Sequence, residues 1–593
     1  MEGTFNHAFS SQENSQEVDN NFNKDPEKEA TNASHQEREK WGKDIEFLFS
    51  CIALSVGLGN IWRFPFVALA NGGGAFVIPY VIVLVLVGRP VYFLEMMLGQ
   101  FSNKNSVAVY NCVPALRGVG VGQVFATSVV LTYYSSIMAL TLRYLYDSFR
   151  SELPWSICRP EWENCIPANI EISENATWPS DARSSAELYF LKDVIQAKDN
   201  ILDGTGWPVW NLVGFLALSW FIVFLVLMKG IKSAGKASYV LAIFPYTILL
   251  VLLIRSLTLP GAFKGVQYFF TPQWEKIVQP SVWYAAVTQV FFSLNIFFGN
   301  IVMYASYNRF DNKLYRDVNI VTSLDMFTSL LAGCTIFGIF GHLAHELGVE
   351  DVSTVVAPGP GLAFISYPFA ISRFTFAPQL FSAIFFIMLY VLGVGTSVAV
   401  TSTVTTIIKD NFPNVKIWQA VLSVAVIGTI IGSVYLTPGG QSVLELVDFY
   451  GSTFVAFILA IAELVGFCYI YGVNRLLNDV NFMLGYHPNF FWKICWGFIT
   501  PILIAAIAIY FFIFFEIPTD GHYEYPAVAH VIGWCLTAIG LIPFPLFAFY
   551  RIYYRKGDTW WEKIKSAFKP AESWGPRDPI LLKKYKESLY SSE

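Results

Sequence analysis

The chain has 593 residues, of which 54% are hydrophobic, 17% aromatic and only 14% charged, with a formal net charge of −5. A soluble protein is about one quarter charged, so this composition indicates a chain that lies in lipid. Its acidic balance, with a pI near 5.9, excludes the basic surface that nucleic-acid binding requires.

The first forty residues are polar and contain no apolar segment of the signal-peptide type. We therefore expect 1–40 to be a disordered cytoplasmic tail, 41–555 to be the membrane domain and 556–593 to be a solvated cytoplasmic C-terminal tail. The glycosylation sequon at Asn32 then falls in the cytoplasm and is a chance match.

Apolar runs recur along most of the chain with short polar breaks between them. A membrane-spanning helix needs about 20 apolar residues, and the runs predict an all-α integral membrane protein with twelve spans. The predicted spans are 46–68, 76–98, 121–148, 210–228, 238–256, 283–307, 318–345, 378–408, 417–436, 445–472, 492–515 and 529–552.

The distribution of basic residues between the spans predicts the orientation of the chain. Short loops after the fourth, sixth and eighth spans are basic, and such loops face the cytoplasm. An even number of spans then places both termini in the cytoplasm and the loop 151–206 outside the cell, as in a multi-pass protein of the plasma membrane. The basic residues are Lys229, Lys232, Lys236, Arg309, Lys313, Arg316, Lys409 and Lys416.

The loop 151–206 has two features of extracellular segments. Cys158 and Cys165 lie seven residues apart in a hydrophilic stretch, and Asn175 begins an Asn-Ala-Thr sequon. A disulfide and an N-linked glycan both form outside the cytoplasm, so each prediction supports the other.

Two predicted spans contain residues that weaken a helix: Gly57 and Gly59 in the first, and Asn295, Gly299 and Asn300 in the sixth. Glycine and asparagine tolerate non-helical backbone, and a broken span must be buried in protein or line a watery cavity. Paired interruptions in two repeats indicate a transporter site. The alternative is that the glycines only allow close helix packing.

Charged residues inside the apolar spans are a further signal, because a charge at the bilayer centre costs at least ~2.5 kcal/mol unless it is paired or hydrated. Arg63 and Asp448 are placed to meet at the outer end of a shared cavity, although Arg63 could instead snorkel to the interface. Asp325 lies among hydroxyl side chains and indicates a cation or proton site. The charged residues are Arg63, Glu95, Asp325, Asp448 and Glu463.

The chain carries the segments GLGNIWRFP at 57–65, NGGGAF at 71–76, ELPW at 152–155 and YASYN at 304–308. They resemble the signature of the neurotransmitter:sodium symporter family, and the resemblance runs from about Arg38 to past residue 550. Within that family the chain is most similar to insect sodium-dependent nutrient amino acid transporters. The resemblance implies twelve helices in a five-plus-five inverted repeat, unwound first and sixth helices, and alternating access.

The resemblance also implies the binding sites. One sodium ion would take the Ser55 carbonyl and the side chains of Asn60, Ser293 and Asp325. A second would take the carbonyls of Ala53, Val56 and Leu392 and the hydroxyl of Thr396. The substrate would contact Ser55, Gly57, Gly59, Val130, Tyr134, Phe292, Asn295, Phe298, Thr396 and Val400.

Chloride and the gates are assigned by the same resemblance. Eukaryotic relatives hold chloride at the positions of Tyr80, Gln289, Ser293 and Ser329, but an ionised Asp325 beside them would repel an anion. The outer gate would be an Arg63–Asp448 pair above an apolar lid of Tyr134 and Phe292. The inner gate would consist of Arg38, Tyr307 and Asp410. Without the resemblance, such pairs are ordinary surface ion pairs and such phenylalanines ordinary helix packing.

The chain departs from the family pattern at several positions. Ala70 replaces a glutamate expected to accept hydrogen bonds from the unwound sixth span. Asn295 and Phe297 replace small residues and narrow the side-chain pocket. Gly395 leaves the second sodium site one ligand short, and Asp325 replaces an asparagine, which predicts that potassium or a proton can replace sodium.

These features predict a sodium-coupled symporter that imports neutral amino acids, and no constellation of an enzyme is present. One alternative is a neurotransmitter symporter for glycine, GABA or an amine, although Gly57 stands where amine carriers hold an aspartate. The other is a transport-deficient amino-acid-binding protein or an amino-acid-gated conductance, which Ala70 and Gly395 favour. The sequence does not identify protein partners.

Overall fold

The computed structural model describes residues 38–168, 182–198, 204–346, 348–349, 363–520, 523–555 and 557–592. Within these ranges, ten helices are long and apolar enough to cross a membrane, and one pair bent by 40° passes the same test together. The ten helices are Gly74–Ser102, Pro114–Asp147, Trp210–Leu227, Ile231–Leu257, Leu314–Glu346, Pro378–Asn411, Ile417–Leu436, Gly440–Leu484, Phe490–Ile513 and Ala527–Tyr553.

Two predicted spans are not continuous helices. The first is the bent pair Asp44–Ser55 and Gly59–Ala70. The sixth consists of Pro280–Leu294 and Asn300–Ala305, each shorter than a membrane span. Helices therefore lie at all the predicted positions and the helical membrane fold is confirmed, while twelve crossings and the inverted repeat stay predictions.

The remaining elements are shorter and lie between or after the long helices. The helical ones are Ala108–Cys112, Ser185–Leu188, Tyr189–Val194, Ala262–Phe270, Trp274–Ile277, Ser366–Ser372, Trp560–Ala567 and Pro579–Ser592. Cys165–Ile166 pairs in parallel with Arg183–Ser184, and Thr519–Asp520 pairs antiparallel with Tyr523–Glu524. Almost all of the described fold is thus helix packed on helix.

Large apolar side chains cover the outside of the bundle. Ile430, Ile513 and Val528, on three different long helices, are each at least 65% exposed. A monomer in water rarely exposes wide apolar patches, so these faces suit contact with lipid. Several polar and charged side chains of the spans, among them Asn60 and Asp325, are buried inside the bundle instead.

The segment that follows the third span, from about residue 148 to 168, packs against the bundle. Cys158 and Cys165 form the predicted disulfide. Trp155 is fully buried against the ring of Tyr144, with ring centres 5.2 Å apart. Asp147 at the end of the helix accepts a hydrogen bond from Arg143 at 2.6 Å. The predicted glycosylation site at Asn175 lies outside the described residues.

The C-terminal segment packs against the bundle rather than extending into solvent. Trp574 Nε1 donates to Tyr471 Oη (2.8 Å), and Tyr585 Oη donates to Asp479 Oδ1 (2.7 Å). Lys104, in the loop after the second span, donates to a backbone carbonyl of this segment, and burial lowers the pKa of its ammonium group to about 8. Aromatic side chains that the polar composition conceals thus anchor the segment.

Gly265 allows the short helix Ala262–Phe270 to lie directly on the seventh span. A Cβ atom at position 265 would overlap the carbonyl oxygen of Phe337. We expect Gly265→Ala to destabilise the protein by about 1–3 kcal/mol, because overpacking forces the backbone apart. Thermal unfolding of the detergent-solubilised protein, followed by size-exclusion chromatography, should show a lower apparent Tm.

Gly214→Ala is the matched control. Gly214 also lies inside a helix, but no atom lies within 4 Å of the position of its added Cβ. Alanine is favoured over glycine in a helix by about 0.5–1 kcal/mol, so Gly214→Ala should leave the Tm unchanged or raise it. Equal losses of Tm in both variants would contradict the packing argument.

Candidate functional site

The first span is interrupted at its middle, as predicted. Its first helix ends at Ser55 and the second begins at Gly59. The N–H of Gly57 donates to Asn60 Oδ1 (3.1 Å), and the N–H of Leu58 donates to Tyr134 Oη (3.3 Å). Side-chain oxygens thus accept hydrogen bonds from backbone N–H groups that have no helical carbonyl partner at the interruption.

The sixth span is interrupted between Leu294 and Asn300. Asn295, Phe297 and Gly299 have φ angles of +55°, +67° and +74°. This left-handed region suits glycine and is tolerated by asparagine, but it is strained for phenylalanine. The strained residue is held in place because its N–H donates to a carboxylate oxygen of Glu95.

That hydrogen bond corrects the interpretation of Ala70. The sequence predicts that a glutamate at position 70 would hold the sixth span, so that Ala70 leaves the bond unmade. In the structure Ala70 is exposed, and Glu95 on the second span accepts from Phe297. The interpretation was wrong because the partner comes from a neighbouring helix. The available signal was Glu95 itself, a carboxylate in an apolar run.

The residues predicted for the first sodium site form a buried cluster. The Asn60 amide donates to Asp325 Oδ1 (2.8 Å) and Ser293 Oγ (3.0 Å), and Ser293 Oγ donates to Asp325 Oδ1 (2.6 Å). Ser55 Oγ is buried without a hydrogen-bond partner, and the part of the Ser55 carbonyl in this site stays a prediction. In the described part of the chain, only neutral side chains donate to the Asp325 carboxylate. A buried negative charge with hard oxygen neighbours fits a small cation such as sodium.

The second predicted sodium site lies where the first and eighth spans meet. Thr396 Oγ1 is 3.5 Å from the carbonyl oxygen of Leu54. Gly395 lies so close to the first span that an added Cβ would be 2.9 Å from the Ala53 carbonyl oxygen. The absent side chain therefore permits this approach, and the ligand set, with the carbonyls of Val56 and Leu392, stays a prediction.

Several of the predicted substrate residues, among them Tyr134, Asn295 and Thr396, lie at the two interruptions. A Cβ atom on Gly57 would lie 2.5 Å from Thr396 Oγ1 and 3.4 Å from Tyr134 Oη. In contrast, no atom lies within 4 Å of the Cβ position on Gly59. The backbone is thus closely covered at the first glycine and open at the second. The others, Val130, Phe298 and Val400, are on the third, sixth and eighth spans, with Phe298 and Val400 buried.

Asn295 connects the two interruptions. Its amide nitrogen is 3.5 Å from the Leu54 carbonyl oxygen and 3.4 Å from that of Phe292. Asn300 donates to Asn295 Oδ1 (3.4 Å), and Asn300 Oδ1 accepts from Thr403 (2.6 Å). A chain of polar contacts therefore leads from the first interruption to the eighth span.

Two of the four predicted chloride residues, Tyr80 and Ser293, donate to a carboxylate. Tyr80 Oη donates to Asp325 Oδ2 (3.3 Å) and to Ser329 Oγ (3.1 Å). Ser293 also donates to Asp325, and Gln289 donates to a backbone carbonyl of the first span (3.2 Å). The fixed negative charge of Asp325 thus receives hydrogen bonds that would otherwise be available to an anion.

The two predicted gates differ in this structure. At the outer gate, the Arg63 guanidinium lies 4.3 Å from the centre of the Phe292 ring. Asp448 Oδ1 instead accepts from Tyr133 Oη (2.6 Å), and no Arg63–Asp448 ion pair within 4.0 Å occurs among the described residues. Tyr133 was not predicted, because nothing in the sequence separates it from the adjacent Tyr134.

At the inner gate the three predicted residues meet. Arg38 Nη1 is 3.3 Å from Asp410 Oδ2, and its guanidinium lies 4.4 Å from the Tyr307 ring centre. Tyr307 Oη is 2.9 Å from Thr406 Oγ1. Asn105 also donates to Asp410 Oδ2 (2.7 Å), a contact that the sequence did not predict. The three residues predicted for the inner gate therefore belong to one connected polar network.

Comparison with known proteins assigns the chain to the same family as the motifs do. The model of the sodium:neurotransmitter symporter family matches residues 38–555. Sodium-dependent nutrient amino acid transporter 1 of Drosophila melanogaster is 49% identical over 93% of this chain and 89% of its own length. The proteins of that name from Drosophila simulans and Drosophila erecta are 49% and 48% identical, over 92% and 94% of this chain and 88% and 91% of their own lengths.

The Arg38–Asp410 network predicts that Asp410→Asn increases access to the cavity beside it. A small cavity next to Tyr307 is lined by Ser402, which provides a reporter as Ser402→Cys, in a background where the exposed Cys535 is replaced by serine. Loss of a part-buried ion pair costs about 1 kcal/mol, and we expect the reporter thiol to be labelled roughly fivefold faster.

Asp311→Asn is the control for that measurement. The Arg309–Asp311 pair has the same 3.3 Å separation, but its side chains are 64% and 72% exposed. An exposed pair contributes little, so Asp311→Asn should leave the labelling rate of Ser402→Cys unchanged. An unchanged rate in Asp410→Asn would contradict the role of the inner network.

Proposed function

The chain belongs to the sodium:neurotransmitter symporter family, and from this membership we propose that it imports neutral amino acids with sodium by alternating access across the plasma membrane. The observation that carries the proposal is the buried carboxylate of Asp325, which lies beside the interrupted first span without a basic partner in the described part of the chain. Relatives named as sodium-dependent nutrient amino acid transporters support the choice of substrate.

An amino acid fits the two interruptions chemically. A free carboxylate would replace Tyr134 Oη as the acceptor of the Leu58 N–H, accept from the hydroxyl of Tyr134 and lie at the positive end of a half-helix. A sodium ion held by Asn60 and Asp325 would add a full positive charge to the same side. One anionic group would therefore neutralise several partial or full charges, which favours a zwitterionic substrate.

The contacts of Gly57 disfavour an amine substrate that lacks a carboxylate. An amine carrier would need an acidic side chain at this position, but an added Cβ would already lie 2.5 Å from Thr396 Oγ1. The second interruption carries Asn295 and Phe297, which narrow the space for the substrate side chain. We propose neutral amino acids as the substrate class on these grounds.

The driving force would be the sodium gradient and the membrane potential. Each monovalent charge that crosses 100 mV contributes about 2.3 kcal/mol. Alternating access would use the two gates in turn, with Arg38, Tyr307 and Asp410 on the inner side and Arg63 and Asp448 on the outer side. The twelve-span count, the inverted repeat and the cytoplasmic location of both termini belong to this proposal.

Uptake of a radiolabelled mixture of neutral amino acids into voltage-clamped oocytes tests the function. We expect accumulation with an inward current in sodium and neither in choline. Uptake that survives in potassium would support the proposal that Asp325 accepts other cations. Surface-expressed protein that binds substrate or conducts current without accumulation would contradict symport.

We also propose that transport does not require chloride, because Asp325 supplies a fixed negative charge at the predicted chloride position. Asp325→Asn removes that charge with little change in shape. The neutral variant should need an external anion, so uptake should fall at least tenfold when gluconate replaces chloride, a difference of about 1.4 kcal/mol. Wild-type uptake should be the same in both anions.

The exposed residue Asp311 again provides the control. Asp311→Asn removes a carboxylate that is 72% exposed, so it should behave as wild type in both anions. Chloride-dependent uptake by the wild type, or a variant Asp325→Asn that transports equally in gluconate, would contradict the fixed-charge proposal. The sodium requirement is measured separately, so failure of this test leaves the proposed symport untouched.

A further inference from the structure

Two buried glutamates lie behind the interrupted sixth span and belong to neither predicted sodium site. Glu95 is on the second span and is 0% exposed, and Glu463 is on the tenth span and is 1% exposed. The two carboxyl groups interact electrostatically, and the hydroxyl group of Tyr110 interacts electrostatically with both of them. Both lie at the interruption of the sixth span, because Glu95 accepts from Phe297 and Gln123, the partner of Glu463, has its Oε1 3.8 Å from the Cβ position of Gly299.

Each carboxyl group has one oxygen with partners and one without. Glu463 Oε2 accepts from the Gln123 amide and from Tyr110 Oη (3.3 Å). Glu95 Oε1 accepts from the N–H of Phe297. The other oxygens, Glu95 Oε2 and Glu463 Oε1, are buried and have no hydrogen-bond donor. A buried oxygen left in this condition costs roughly 1–3 kcal/mol.

The surroundings contain no positive charge that could hold two anions together. The titratable side chains that face the pair are Tyr92, Tyr110 and Cys468, all of types that are neutral near pH 7. In the described part of the chain, no arginine or lysine acts on either glutamate. Two ionised carboxylates cannot share such a site, because like charges in a low dielectric repel strongly.

We propose that Glu95 and Glu463 share one proton, in a carboxyl–carboxylate hydrogen bond between Glu95 Oε2 and Glu463 Oε1. A single O–H group gives both unpartnered oxygens a partner. The one remaining negative charge is stabilised by the N–H of Phe297 and by the donors Gln123 and Tyr110. The pair is thus a proton-binding site separate from the Asp325 cluster.

The proton has a mechanical consequence. With the proton in place, Glu95 is fixed between Glu463 and the strained backbone of Phe297. Release of the proton to water leaves two facing carboxylates, whose repulsion pushes Glu95 away from the sixth span. The unwound segment then loses its anchor, so the site makes the conformation of the sixth span dependent on pH.

Infrared spectroscopy of the purified, reconstituted protein tests the shared proton without relying on transport. We expect a carbonyl band of a protonated carboxyl group near neutral pH that shifts in deuterium oxide. Glu95→Gln and Glu463→Gln should each remove the same single band, because the remaining glutamate accepts from the new amide and ionises. Loss of the band in only one variant, or in neither, would overturn the shared proton.

The pH profile of sodium-driven uptake tests the consequence. Wild-type uptake should fall several-fold and reversibly with rising pH, whereas Glu463→Gln should keep a level profile because its amide cannot ionise. Glu516→Gln, which alters an exposed carboxyl group, should follow the wild type. An identical alkaline fall in wild type and Glu463→Gln would overturn the coupling between this proton and the sixth span.

Discussion

The backbone groups freed by the two helix interruptions must find partners inside the protein, because lipid offers none. Asn60 and Tyr134 accept from the N–H groups of the first interruption, and Glu95 accepts from the second. Each partner stands on an element that must then lie close to the interruption. The positions of the second and third spans around the centre of the bundle follow from this requirement.

The same requirement explains the distribution of buried acids. Glu95 anchors the sixth span, while Asp325 receives the amide of Asn60 and the hydroxyl of Ser293. Neither carboxylate has a basic partner in the described part of the chain, and a buried anion without a counter-charge is expensive. The buried carboxylates therefore favour the binding of small cations and disfavour the binding of a free anion.

The sequence predicted the features that depend on residue type along one helix. Gly57, Gly59 and Asn295 located both interruptions, since these residue types tolerate non-helical backbone, and Asp325 among hydroxyl residues located the buried cluster. The sequence was wrong where partners come from another helix. The sequence analysis assigned the anchor of the sixth span to position 70 instead of Glu95. Residue spacing along one helix does not determine which residues of another helix lie next to it.

The polar C-terminal segment shows the same limit. Its composition indicates a solvated tail, yet Trp574 and Tyr585 bury their rings against the bundle and bond to Tyr471 and Asp479. A few aromatic side chains determine that the segment packs against the bundle, and their partners lie about a hundred residues earlier in the chain. Average polarity over the segment conceals them.

The residues predicted for the two gates make different contacts. Arg38 contacts Asp410 directly on the inner side, whereas Asp448 on the outer side is held by Tyr133 and Arg63 lies over Phe292. A carrier must not open both sides at once, so an unequal pair of gates is what alternating access requires of any single conformation. Closing the proposed outer gate would need Asp448 to exchange the neutral hydroxyl of Tyr133 for the guanidinium of Arg63. Under the proposed alternating access, the connected inner network and the absence of a direct Arg63–Asp448 contact among the described residues would describe a conformation whose next movement is on the outer side.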